Sequence, residues 1–117
     1  MFARVSRYKS DEDSAKLLEG FQDTVGPLQL VDGFSHAYFM VDRETGNAVS
    51  MTIWESEGAM TASSESAQAR RQQRTDASGA SVESVDHYEI GLMALAPGVQ
   101  AAGRRAEPKE EPGEEDA

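Results

Sequence analysis

Apolar positions along the chain fall into six blocks, each with its own spacing. Phe2, Val5 and Tyr8 lie within Met1–Tyr8, a stretch with no breaker, which predicts a first strand. Ser10, Asp11 and Asp13 then supply capping oxygens and first-turn negative charge. Leu17, Leu18, Phe21, Val25 and Leu28 follow at helical spacing, with Lys16, Glu19 and Asp23 on the other side. Gly26-Pro27 should weaken or bend the last turn of this helix, and Asp32-Gly33 ends the segment. Phe34–Asp42 and Asn47–Trp54 read as two strands joined by Arg43-Glu44-Thr45-Gly46, a polar stretch whose glycine suits a hairpin. Ser56 can cap a second helix whose face is made of Ala59, Met60, Ala62, Ala67 and Ala69 and which closes at Ser78-Gly79. Ser81–Leu92 is the last strand, with Val82, Val85, Tyr88 and Ile90 in an alternation that changes phase once. The predicted order is β-α-β-β-α-β.

Both faces of the two middle strands carry apolar groups. Phe34, His36, Tyr38 and Met40 share one face of the first, and Ser35, Ala37, Phe39 and Val41 the other. In the second, Val49, Met51 and Ile53 oppose Ser50, Thr52 and Trp54. A single sheet with helices on one side should show water on the other. A second copy of the chain covering that side is the simplest resolution.

Composition narrows the function classes. The chain has 117 residues and a formal net charge of −10, with 8 basic and 15 acidic residues up to Ala96 and 3 basic and 6 acidic beyond it. A negative field repels phosphate backbones, so nucleic-acid binding is not expected. There is no cysteine, hence no disulfide framework and no thiolate metal site. Two histidines on separate strands do not make a metal site by themselves, and none is expected. No apolar run approaches the roughly 20 residues of a membrane helix, and the N-terminus lacks a signal-peptide layout, so a cytoplasmic protein is the expectation. From Pro97 onward Gly, Pro, Ala and Glu dominate and no large apolar residue follows Val99. The expected organisation is one domain over residues 1–96 and a disordered acidic tail over 97–117.

The element order, the Asp32-Gly33-Phe34 approach to the second strand, and Trp54-Glu55-Ser56-Glu57-Gly58-Ala59-Met60 between third strand and second helix resemble the antibiotic biosynthesis monooxygenase (ABM) domain. The resemblance covers about Met1 to Leu92. It implies an α+β, ferredoxin-like antiparallel sheet that pairs face to face with a second copy as a dimeric α+β barrel. It also implies a pocket between sheet and helices, working without metal or flavin, in which a small aromatic or phenolic molecule is deprotonated and reacts directly with oxygen. On this resemblance Trp54 and Arg74 are the candidate catalytic residues, as an indole wall and donor and as an oxyanion stabiliser. Phe39, Ser50, Thr52 and Met60 line the pocket, while His36, Tyr38 and Met40 face the partner subunit.

The family's two pocket tyrosines fall at Phe39 and Met60, and its asparagine at Ser50, so two hydroxyls and an amide are replaced. Haem-degrading relatives place a histidine on the second helix and an asparagine on the first strand; neither is present here, and no cofactor is expected. Two readings stay open from the sequence: an oxidoreductase of the ABM type, or a homodimer of the same fold that binds a small ligand or is purely structural. Trp54 fits a core as well as a pocket wall, and Arg70, Arg71 and Arg74 also suit a helix C-terminal end.

Overall fold

The computed structural model describes residues 1–9, 14–78 and 80–99; the side chains of Ser14, Arg74, Ala77 and Ser78 are not among the described ones. The expected acidic tail lies almost wholly outside the described residues. The elements are β1 (Phe2–Lys9), α1 (Ser14–Gln29), β2 (Phe34–Val41), β3 (Ala48–Trp54), α2 (Glu57–Ala62), α3 (Ser64–Ser78) and β4 (Ser81–Glu89). The four strands form one antiparallel sheet in the order β2-β3-β1-β4. This is the ferredoxin-like α+β arrangement that the family resemblance implied. None of the helices among the described residues is long and apolar enough to cross a membrane.

Register fixes which side chains share a face. Arg4, Ser6 and Tyr8 of β1 stand opposite Thr52, Ser50 and Ala48 of β3, and these in turn stand opposite Ala37, Phe39 and Val41 of β2. The helices cover this face. Tyr8, Leu17, Phe21 and Ala48 form one core cluster, joined by Phe39 and Val41; Leu28, Trp54 and Met60 form a second, joined by Phe2, Phe34 and Phe39. Phe21 stacks on Phe39 with ring centroids 4.8 Å apart and meets Tyr8 edge-on at 5.5 Å. The aromatic rings thus tie α1 to the central strand β1 and the edge strand β2. The opposite face presents Ala3, Val5, His36, Tyr38, Met40, Met51, Ile53 and Tyr88, none of which enters either cluster.

Three details differ from the sequence expectation, each for a local reason. Phe34 does not share a face with His36. Phe34 pairs with Trp54 and His36 with Ile53, so Ser35 is an extra residue in β2, a bulge that turns Phe34 back toward the helices. Phe34 there meets Trp54 edge-on at 5.6 Å. The phase change read in the last strand has the same origin: Tyr8 pairs with Val82 but Arg7 with Ser84. The extra residue brings both Val82 and Val85 to the helix side, and the strand stops at Glu89 rather than Leu92.

The second helix is two helices. Ser56 caps α2 through its hydroxyl, which accepts from the Ala59 amide at 3.1 Å, and the chain breaks at Ser63 before α3 begins. The Met60 carbonyl, which a continuing helix would bond to the fourth residue on, instead accepts the Arg4 guanidinium and the Ser63 hydroxyl. Side chains have taken the place of the helical amide. By contrast α1 runs through Gly26-Pro27 to Gln29. Buried Leu28 anchors its last turn, and the chain leaves through Leu30 N–H to Pro27 C=O and Val31 N–H to Leu28 C=O. The hairpin is as expected: Asp42 and Asn47 close it, and Gly46 takes φ +80°.

Candidate functional site

A buried cation lies at the centre of the helix-covered face. Arg4 is 3 % exposed although it occupies the middle of β1. Alternation puts it there, since it shares a face with Phe2, Ser6 and Tyr8. Its Nη2 donates to the Met60 carbonyl and to the hydroxyls of Ser63 (3.0 Å) and Ser64 (3.4 Å). Its guanidinium carbon lies 5.5 Å from the centroid of the Trp54 ring, within cation–π range. Its Nη1 is buried and has no hydrogen-bond partner among the described residues. Burial, reinforced by the positive charges of Arg71 and Arg70, lowers its pKa to about 10. The group stays a cation at neutral pH, in surroundings that disfavour one.

Arg4 opens onto a cavity of about 20 Å³, lined also by Ser6, Ser50, Thr52, Phe39, Arg70 and Arg71 among others. That is room for about one water. Among the described residues that line it, none is acidic. A second space, a cleft of about 630 Å³, opens between α1 and the sheet-edge strand β2. Phe34, His36, Ala37 and Phe39 form its sheet side, and Val25, Leu28 and Gln29 its helix side. Leu28 and Phe39 line both spaces, so those two side chains border the cavity on one hand and the cleft on the other. His36 is the one titratable group among the described residues of the cleft. Its Nδ1 lies 2.8 Å from the Ser35 hydroxyl, and burial lowers its pKa below the ordinary imidazole value. At neutral pH the ring is therefore neutral, with a nitrogen able to accept a proton.

The fold is similar to those of solved structures. SnoaB, a cofactor-independent oxygenase from Streptomyces nogalater, superposes with a TM-score of 0.62 at 16% identity, covering 79% of this chain and 94% of its own. The monooxygenase from the gene ActVA-Orf6 of Streptomyces coelicolor, solved in complex with nanaomycin D, superposes at 0.61 with 18% identity, covering 81% and 91%. The chain has an ABM-like fold. No family sequence model and no curated protein sequence matches it.

Within the ABM-like fold the residues singled out from the sequence distribute as follows. Phe39, Ser50 and Thr52 come together around the inner cavity. Ser50 shares a hydrogen bond of 3.3 Å with the Tyr8 hydroxyl. Trp54 is fully buried and lines neither space; its indole N–H donates to the Thr52 hydroxyl at 2.9 Å. Met60 is buried in the same cluster as Trp54, and its carbonyl rather than its side chain meets Arg4. Arg74 belongs to α3, and its side chain lies outside the described residues. Tyr38 and Met40 are 40 % and 45 % exposed on the open face. His36 shares that face by register, packs edge-on against Tyr38 at 5.6 Å, and also borders the cleft because β2 is the edge of the sheet.

The residue that sequence reading passed over is Arg4. The signal was present: in a strand whose Phe2 and Tyr8 point to the helices, Arg4 must point with them. Among the described residues, no group of three or more His, Asp and Glu side chains converges as a metal site would require.

Proposed function

We propose that the chain is a cytoplasmic ABM-like oxygenase that acts, as a homodimer and without a cofactor, on a small aromatic or phenolic molecule held in the cleft between α1 and β2. The observation that carries this reading is the junction at Phe39. On one side lies an aromatic-walled cleft large enough for a ring system, and on the other a cavity lined by arginines and hydroxyls. Phenolic carbon acids need both features: an apolar wall to hold the ring and positive charge to stabilise the oxyanion formed on deprotonation. His36, neutral and at the cleft, is the group placed to take the proton. For an anthrone the chemistry balances without any other reductant. The substrate gives up its two methylene hydrogens, one atom of oxygen becomes the new carbonyl, and the other leaves as water.

The homodimer is supported by the open sheet face. Tyr38, Met40 and Tyr88 are large side chains exposed there beside buried Ala3, Val5 and Ile53, a patch that water alone leaves uncompensated. Pairing two such faces gives the barrel. A second reading, a dimer that binds its ligand without turning it over, is favoured by two facts: the Trp54 N–H already serves Thr52, and the inner cavity admits only about one water.

Oxygen uptake with a panel of anthrones and hydroquinones tests the choice. The expected result is uptake with at least one of them that is strongly reduced in His36→Gln while the fold is retained. The substitution should also remove the limb of the pH–rate profile that reports the free base. No uptake with any member of the panel would decide for the binding reading.

A further inference from the structure

We propose that Ser35 is the positioning residue for His36: its hydroxyl holds the ring with the hydrogen on Nδ1, so that Nε2 is the nitrogen that accepts a proton from a molecule in the cleft. The inference rests on the reading of His36 as the base of the cleft and adds the group that orients it. It starts from the bulge in β2. Neighbouring residues of a regular strand point to opposite faces, so a side chain at position 35 would ordinarily lie away from one at position 36. Here Phe34 pairs with Trp54 and His36 with Ile53, which leaves Ser35 as the extra residue. Its hydroxyl lies 2.8 Å from His36 Nδ1, and both residues line the cleft. Re-aiming a side chain beside a site is a common use of a bulge.

The tautomer follows from what each nitrogen has left. Nδ1 is taken by Ser35. Nε2 makes no hydrogen bond among the described residues and is not one of the buried atoms without a partner, so it is the nitrogen open to a ligand. A neutral imidazole carries one N–H and one lone pair. For the lone pair to serve the cleft it must be on Nε2; the hydrogen is then on Nδ1, and the Ser35 hydroxyl is its acceptor. That hydroxyl matters more once His36 has taken a proton. The imidazolium donates from both nitrogens, and burial disfavours it. Accepting from Nδ1–H opposes the effect of burial, because a hydrogen bond to the charged form favours that form. The neighbouring elements supply little else of this kind. Tyr38 is the titratable side chain packed on the ring, edge-on at 5.6 Å. β3 places Ile53 opposite His36. Across the cleft α1 presents Val25, Leu28 and Gln29, none of them charged.

Nitrogen-15 NMR of the imidazole rings in the full-length protein tests this, with His36 told apart from His87 by His36→Gln. At a pH above its titration, His36 should show a protonated Nδ1 and an unprotonated Nε2. Ser35→Ala, with native circular dichroism, should move the ring toward the Nε2–H form that imidazole side chains prefer in water, and should lower the His36 pKa. Ser35→Thr keeps a hydroxyl and should restore both. An Nε2–H tautomer in the parent protein overturns the proposal, and that readout needs no variant to fold. An unchanged or raised His36 pKa in Ser35→Ala also overturns it, since a hydroxyl that donates to Nδ1 favours the neutral ring instead. Oxygen uptake supplies a second measure. Ser35→Ala should lower kcat about tenfold, leave KM unchanged, and move the free-base limb of the pH–rate profile to lower pH in step with the NMR titration. A limb that stays in place refutes the positioning role. A parent protein that consumes no oxygen fails the oxygenase reading, whereas Ser35 is still judged by the tautomer and titration of His36.

Discussion

Gly33 is where the turn before β2 touches the start of α2, and replacing it by alanine should be among the most costly single-atom changes in the domain. Two effects combine. Gly33 has φ +80°, a conformation that costs an L-residue roughly 1–2 kcal/mol. A Cβ built there would also lie 2.3 Å from the Ala59 Cβ, well inside contact distance, and relieving such overpacking costs typically about 1–3 kcal/mol. The Gly33 carbonyl accepts the Glu55 amide at 2.8 Å, so the turn cannot simply back away without losing that bond. Gly33→Ala should therefore lose about 2–5 kcal/mol, measured by urea unfolding at fixed protein concentration. The two parts separate in a double-mutant cycle. Ala59→Gly alone should cost about 0.5–1 kcal/mol, as a glycine in a helix does. In the Gly33→Ala background it removes the opposing methyl and should return the steric part. The expected coupling is about 1–3 kcal/mol in the favourable direction. Effects that add within about 0.5 kcal/mol would mean the two Cβ positions do not oppose each other, and would refute the packing of the turn on α2.

Other expectations follow from single observations. Thr52→Val keeps the shape but removes the acceptor of the buried Trp54 N–H; it should cost about 1–3 kcal/mol, with indole emission shifted as the readout. Met40→Glu, on the exposed apolar face, should convert the proposed dimer to a monomer in sedimentation while leaving helix content unchanged; a monomeric parent protein would refute the dimer itself. His36 has a pKa lowered by burial, so the unfolded state binds its proton more readily. Its contribution is complete above the unfolded value near 6.5 and is lost as pH falls below it. The loss of stability between about pH 7.5 and 5.5 should be smaller in His36→Asn than in the parent, by parallel urea titrations.

Much of this was legible in the sequence, and what was not has identifiable causes. Alternation put Ser50 and Thr52 on one face of the third strand, the family resemblance set Phe39 beside them, and the structure gathers all three around one cavity. Alternation failed at Ser35 because a bulge there has no glycine or proline to announce it; only the pairing of Phe34 with Trp54 reveals it. The break at Ser63 was invisible for a related reason. Thr61-Ala62-Ser63-Ser64 contains no helix breaker, and the interruption comes with a hydrogen bond from Arg4, 56 residues earlier in the chain. Arg4 itself was hidden by habit rather than by physics, since a charged residue in a strand is usually taken to face water.

The break at Ser63 has a mechanical meaning. Through Nη2 the Arg4 side chain ties β1 to the joint between α2 and α3. Removing that tie, as in Arg4→Gln, should loosen the joint. The amides around Ser64 to Ala67 should then exchange their hydrogens faster than in the parent protein. The arginine is a strut between the sheet and the helix layer that covers it.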